Sequence, residues 1–175
     1  KSGVGFPDSE QGGKAGVPFF KVSDMNLEGN DSIMKKANNY VNDSQIHKNR
    51  YKPITERSII FAKVGAAIFL ERKRVAENFL IDNNMMSFTP KSSHNFEYIR
   101  ICFERLRLSS MAQVGALPSY NGSDLAILKI GIPNADAQQK IADFFTAIDE
   151  KITAEQIKLT AARQFKKFLL QRMFV

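Results

Sequence analysis

From Ala135 to Val175 the chain runs without a Pro or a Gly, the two residues that most disfavour a helix interior. Pro133 disfavours helix just before that stretch, and Asn134 is a residue type that caps helix N-termini well. Apolar residues then recur at alternating spacings of four and three: Ile141, Phe145, Ile148 and Ile152, then Leu159, Ala162, Leu169 and Met173. Glu155 and Lys166 are polar breaks in the series. At ~1.5 Å per residue the predicted rod is roughly 55 Å long. One small domain cannot cover an apolar stripe of that length, so the spacing requires a partner helix.

The preceding residues, 1–133, have to supply a separate globule. A chain of 175 residues is one ordinary domain, or one domain with an appendage, and 43% hydrophobic residues is enough for a core. The formal net charge of +7 favours a polyanionic partner. Residues 136–175 hold seven Lys and Arg against five Asp and Glu, which leaves +5 of that charge on residues 1–135. A polyanion site is therefore expected mainly on the globule. The single cysteine, Cys102, excludes an intrachain disulfide and points to a reducing, cytoplasmic setting. In its apolar run it reads as a small buried hydrophobe rather than a nucleophile. No apolar run approaches the ~20 residues of a membrane span, and nothing resembles a signal peptide.

The globule reads as a series of short elements. Residues 1–16 are Gly-rich and polar, as in a loop. Val17–Val22 is a strand candidate, and Asp24–Asn49 is polar with weak helical pieces at Ser32–Asn39 and Asp43–Asn49. Ser58–Phe69 reads as two short strands bent at Gly65. Glu71–Arg74 reads as a hairpin tip or exposed loop, and Met85–Thr89 as a strand ended by Pro90. His94–Met111 carries Phe96, Ile99, Phe103 and Leu106 at helical spacing. Gly115–Asp124 is a loop of turn formers, and Leu125–Ile132 is a β-rich run into Pro133. The expected fold class is α+β: a mixed α/β globule over residues 1–133, then a long C-terminal coiled-coil helix over residues 134–175.

Signatures of catalysis are missing from this pattern. His47 and His94 stand far apart, with no Cys or carboxylate at metal-ligand spacing. No G-x-x-x-x-G-K-[ST] loop is present, and Gly3-Val4-Gly5 is not followed by the helix a phosphate loop needs. Asp8 with Glu71 and Lys73 superficially matches a Mg²⁺ nuclease pattern. That chemistry needs its carboxylates on strands, whereas Asp8 lies in a Gly-rich loop. No catalytic residue, metal ligand or cofactor site is nominated.

Several stretches together are more specific. They are Pro18-Phe19-Phe20-Lys21-Val22-Ser23-Asp24-Met25, Phe61-Ala62-Lys63-Val64-Gly65-Ala66-Ala67-Ile68, Ile81-Asp82-Asn83-Asn84-Met85-Met86 and Pro118-Ser119-Tyr120-Asn121. Gln138-Gln139-Lys140-Ile141-Ala142-Asp143-Phe144-Phe145 follows, with Asp149-Glu150-Lys151-Ile152 inside the rod. In this order, from about residue 5 to the C-terminus, the chain resembles the specificity (S) subunits of type I restriction-modification systems.

The resemblance implies a target recognition domain over residues 1–133 and a conserved-region helix over residues 134–175. A complete subunit of that family usually holds two such units. Their helices pair antiparallel and hold the recognition domains apart, so that each reads half of a split DNA sequence. This chain holds one unit and starts without the short lead expected before the Gly-rich loop. It is expected to be a fragment, or a natural half-subunit that must dimerise. The resemblance also implies binding without chemistry and without a cofactor. Modification subunits carry S-adenosylmethionine and methylate adenine, while restriction subunits carry ATP-driven translocation and cleavage. The implied partners are double-stranded DNA, the modification subunits, the restriction subunits through the complex, and a second copy or specificity half through the helix. No membrane is implied.

On that reading Lys63, Arg72, Lys73, Arg74 and Lys91 are candidates for phosphate contact, and Ser119, Tyr120 and Asn121 for base or groove contact. Asn83 and Asn84 suit a structural turn better than a variable readout. Ile141, Phe145, Ile148, Ile152, Leu159, Leu169 and Met173 are candidates for helix pairing, while Phe165, Phe168 and Leu169 also suit docking of modification subunits. The alternative is a recognition domain cut from a single-chain type IIG restriction-methylation enzyme. The rod argues against it, because such an enzyme does not need a pairing helix of this length.

Overall fold

The computed structural model describes residues 1–113 and 117–173. The chain divides into two compact units, Lys1–Lys91 with Cys102–Ile130, and Ser92–Ile101 with Gly131–Val175.

The first unit is built on two three-stranded sheets. In one, β1 (Val17–Phe20) lies between β2 (Tyr40–Val41), which is antiparallel to it, and β5 (Leu80–Ile81), which is parallel. In the other, β3 (Ser58–Ala62) lies between β4 (Lys73–Ala76) and β6 (Met85–Phe88), both antiparallel to it. Successive strand residues face opposite sides, and in β1 both sides are packed. Phe20 enters a cluster with Met25, Met34, Ile54, Ile60, Ala76, Phe79, Ile81 and Met85, whereas Phe19 joins Val41 and Leu80. Two-sided burial is why β1 and β3 read as unbroken apolar runs rather than alternating ones.

Every residue of β3 is buried. Its Phe61 ring lies 5.3 Å from that of Phe103 and 6.3 Å from that of Tyr120, centroid to centroid. Phe103, from the end of α2 (Phe96–Glu104), also stacks on Phe88 at 5.1 Å. Burial of aromatic side chains of this size contributes about 1.5–3 kcal/mol each. The N-terminal segment, expected to be a loop, is tied along the sheets: Gly3 N–H donates to Met85 O at 3.0 Å and Val4 N–H to Ile81 O at 3.0 Å. A Cβ on Gly3 would lie 1.8 Å from the Asp82 carbonyl oxygen, so this close approach admits only glycine.

Polar side chains redirect several segments away from their sequence preference. Ser32–Asn39, expected to hold a weak helical piece, is irregular. The buried Asn30 side chain accepts the N–H groups of Lys35 at 2.8 Å and Lys36 at 3.1 Å, and donates to the Asp24 and Lys36 carbonyls at 2.8 Å. The backbone groups a helix would pair are therefore taken. Asp43–Asn49 does form a helix, α1, capped by Asn42, which accepts the Gln45 N–H at 2.9 Å.

The second strand expected within Ser58–Phe69 is replaced by a 3-10 turn, Ala66–Leu70. Gly65 turns the chain at φ 78°, and Ile68 is buried against the core. The helix expected over His94–Met111 stops at Glu104, and a separate 3-10 turn forms at Leu108–Met111. Lys73 Nζ donates to Leu106 O at 2.7 Å between them, and at the start of the turn Glu71 accepts the Leu108 N–H at 3.1 Å and the Ser109 N–H at 2.7 Å. Those long-range partners pull the backbone out of helical pairing. Leu125–Ile132 is not a strand either. A five-residue helix, α3 (Gly122–Ala126), forms first, and the chain beyond it is irregular. Gly115 and Ala116 of the predicted loop lie outside the described residues.

The second unit is dominated by α4 (Ala135–Met173), 39 residues in one helix. At ~1.5 Å per residue it is about 58 Å long. Asn134 caps it, accepting the Ala137 N–H at 2.9 Å. Phe174 and Val175 lie outside the described residues. The start of α4 and the segment before it are bonded to Ser92–Ile101: Asn95 Nδ2 donates to Gln139 Oε1 at 2.8 Å, and the Tyr98 hydroxyl to Gly131 O at 2.6 Å. Arg100 forms ion pairs with Glu97 at 2.6 Å and Asp149 at 2.8 Å. The buried residues of α4 are Gln138 and Ala142, while the apolar stripe is exposed from Ile141 to Met173. Among the described residues no helix is long and apolar enough to cross a membrane.

Candidate nucleic-acid interface

Segments distant in sequence converge at the C-terminal end of β3. Lys63 N–H donates to Asn84 O at 2.8 Å, which draws in the turn between β5 and β6. That turn holds Asn83 and Asn84, and it is closed by Asp82, whose carboxylate accepts the Asn84 N–H at 3.1 Å. Burial pushes the Asp82 carboxyl above its ordinary value. On the other side, Val64 bridges Ser119 in antiparallel register, Gly65 N–H donates to Pro118 O at 2.8 Å, and Tyr120 N–H donates to Lys63 O at 3.2 Å. Residues 118–120 thus run beside residues 63–65.

Side-chain direction along this added stretch alternates. Tyr120 is 4% exposed, and its hydroxyl donates to the Ala62 carbonyl. Burial pushes the phenol up, so it stays a neutral donor. Asn121, the next residue, is exposed and caps α3. Its Oδ1 accepts the Ser123 N–H at 2.8 Å and the Asp124 N–H at 3.2 Å, while Asp124 accepts the Asn121 N–H at 2.8 Å. With Oδ1 committed to the turn, its capacity to read a base edge rests on the Nδ2 amide. Ser119 is half-buried.

The cations expected on phosphates fall into different environments. Lys63 is half-buried, with Nζ donating to Ser2 Oγ at 3.3 Å. The Arg72–Arg74 segment is not the exposed tip its charge suggests, because Lys73 pairs with Phe61 and Arg74 with Ile60 in the sheet. The Lys73 side chain is 5% exposed and its Nζ lies 2.8 Å from Glu71 Oε2. Arg74 donates to Asn30 O at 2.7 Å and Lys73 O at 3.0 Å. Arg72, half-buried, donates to Asn26 Oδ1. Lys91 is exposed, but β6 runs antiparallel with Phe88 opposite Ile59, so it follows the opposite end of β3 from Lys63.

The structure therefore brings Lys63, Ser119, Tyr120 and Asn121 together, and places Lys73 and Arg74 on the adjoining strand with Lys73 Nζ and Arg74 Nε and Nη1 bonded internally. Glu71 is the organiser the charge pattern did not single out. It adopts a left-handed backbone at φ 50°, and its carboxylate collects Leu108, Ser109 and Lys73. Burial alone would push that carboxyl up, but the hydrogen bonds from Lys73 and Ser109 outweigh it, and it titrates below its ordinary value. The local signal was the opposite charge of Glu71 and Lys73 two residues apart; the turn at Glu71, just before β4, rather than strand alternation, brings the two side chains together. Among the described residues no cluster of three or more His, Cys, Asp or Glu is placed to hold a metal ion.

Comparison with known proteins gives this surface its context. The model of the family described as type I restriction modification DNA specificity domain matches residues 4–162. The chain is similar to the HsdS subunit from Thermoanaerobacter tengcongensis, at 16% identity and TM-score 0.62, over 87% of this chain and 35% of that one. A chain solved in work on complex assembly and conformational transition of the type I R-M system is similar at 17% identity and TM-score 0.68, over 88% and 36%. The type I restriction-modification S subunit from M. genitalium is similar at 14% identity and TM-score 0.58, over 87% and 37%. At such identities the likeness establishes the mixed α/β globule and long helix as a shared fold. The chain spans about a third of the length of each of these structures. No curated protein matches it. The family match runs through both sheets and most of α4, and the chain belongs to the type I restriction modification DNA specificity domain family.

Proposed function

We propose that this chain recognises double-stranded DNA as one half of a type I specificity assembly, directing adenine methylation and DNA cleavage by partner subunits and performing no chemistry itself. The observation that carries the reading is α4. Ile141, Phe145, Ile148, Ile152, Leu159, Leu169 and Met173 are all exposed on a helix of 39 residues. Apolar surface of that extent is interaction surface, and a long stripe at helical spacing is matched by another helix. The partner helix comes from a second copy or a second specificity half, paired antiparallel, with recognition domains of residues 1–133 at its two ends. Phe165 and Phe168, also exposed, are available to modification subunits.

On the globule, Lys63, Arg72 and Lys91 meet phosphates, and Ser119 and Asn121 meet the groove. Lys73, Arg74 and Tyr120 hold that surface in shape through their internal bonds. Light scattering on the full chain tests the pairing. The expected result is a dimer at micromolar concentration that becomes a monomer in the Ile152→Glu/Leu159→Glu variant. Selection from a random duplex pool is expected to return a split, symmetric sequence for the dimer. A chain that is monomeric, with the variant indistinguishable from it, refutes self-pairing.

A further inference from the structure

The 3-10 turn Ala66–Leu70 carries two large apolar side chains outward, Phe69 and Leu70, each 59% exposed. The turn is fixed at both ends. Ile68 beside them is buried, its N–H donates to Gly65 O at 3.1 Å, and Ile68 O accepts the Glu71 N–H at 3.1 Å. Glu71 is in turn held by Leu108, Ser109 and Lys73. Apolar groups presented on such a rigid turn lose little freedom when covered, so they are preorganised for a contact. Leu117, 63% exposed, lies over the start of the turn, its Cδ1 3.7 Å from where a Cβ on Gly65 would stand.

Cations flank the turn, and its one acid, Glu71, is paired with Lys73. Lys63 precedes Gly65, Arg72 follows Glu71, and the exposed Arg107 precedes the Leu108–Ser109 segment that Glu71 holds. An apolar protein surface would not need that frame. Stacked base pairs between two phosphate backbones match both parts of it, the apolar centre and the basic rim.

We propose that Phe69 and Leu70 form a wedge that enters the DNA groove and opens a base step, with Lys63 and Arg72 on the flanking phosphates. The inference rests on the DNA-recognition reading above and adds to it a means of specificity. Opening a step costs least at flexible pyrimidine–purine steps, so the wedge selects sequence without a hydrogen bond to any base.

The test uses the full chain and the duplex that it selects from a random pool, with 2-aminopurine placed at successive positions. The expected result is a fluorescence rise confined to one step. Phe69→Ala/Leu70→Ala is expected to abolish that rise and weaken binding about tenfold, with the thermal midpoint unchanged because both residues are exposed. Arg72→Ala is expected to weaken binding yet keep the rise at saturation. Unchanged affinity and fluorescence in the double variant overturn the wedge. So does intact DNA binding with lost binding to the modification subunit, which assigns the turn to protein docking. A duplex selected normally but showing no rise at any position overturns the wedge alone. A wild-type chain that selects no sequence removes the DNA reading together with it.

Discussion

The side-chain amide of Gln138 reaches back to Asn95: its Oε1 accepts the Asn95 backbone N–H at 3.0 Å, while its Nε2 donates to Pro133 O at 2.8 Å. Gln138 is 4% exposed and so is fully committed to joining the first turn of α4 to the start of α2. Replacing it with Leu removes both bonds and leaves the half-buried Asn95 N–H and Pro133 carbonyl without them. Gln138→Leu is expected to lower stability by about 1–3 kcal/mol, measured by denaturant unfolding. Its exposed neighbour Gln139 bonds Asn95 Nδ2 and Asp143, and Gln139→Ala is expected to change stability by less than about 0.5 kcal/mol. Equal effects would show that the two bonds of Gln138 contribute no more than those of its exposed neighbour.

Glu71 predicts a pH dependence. Its carboxyl is held below its ordinary value in the folded chain. The stability it contributes is therefore complete above the unfolded carboxylate range and lost as pH falls through the lower, folded value. Glu71→Gln replaces an acceptor facing Lys73 and Ser109 with a group that also donates, and is expected to cost about 1–3 kcal/mol at neutral pH. The gap between wild type and variant should narrow on acidification in urea unfolding. A gap that stays constant down to acid would show that the charge of Glu71 contributes nothing.

Arg72 is expected to act on the DNA backbone. Arg72→Ala should weaken binding to all duplex sequences alike and reduce the slope of log K against log salt by about 1. A variant that changes only which sequence is preferred would move Arg72 from phosphate contact to base readout.

Asn121 both caps α3 and is exposed for readout, so alanine would confound the two. Serine also caps well but lacks the amide. Asn121→Ser is therefore expected to leave the thermal midpoint within about 1–2 °C while relaxing preference at one position of the selected sequence. An unaltered sequence profile with a lowered midpoint would leave Asn121 a purely structural residue.

What was legible in the sequence is local. α4 starts at Ala135 because Pro133 and Asn134 end one conformation and cap the next, and it continues because nothing in it breaks a helix. α1 lies where Asn42 and Gln45 form their reciprocal cap, and β1 and β6 lie where short apolar runs end at polar or Pro residues. Collinear motifs across the chain identified the family for the same reason, since each is a short string readable in place. Tertiary structure alone decided the segments whose backbone is claimed from far away. Asn30 and Val75 hold Ile33–Lys36 out of a helix, and Glu71 and Lys73 end the helix before Leu106 from more than thirty residues upstream. Long-range bonds of the same kind, from Lys73 to Leu106 O and from Tyr120 to Ala62 O, turned those side chains inward although their types read as surface contacts. A buried polar group must find a partner wherever the fold offers one, and periodicity along the chain carries no record of partners that distant.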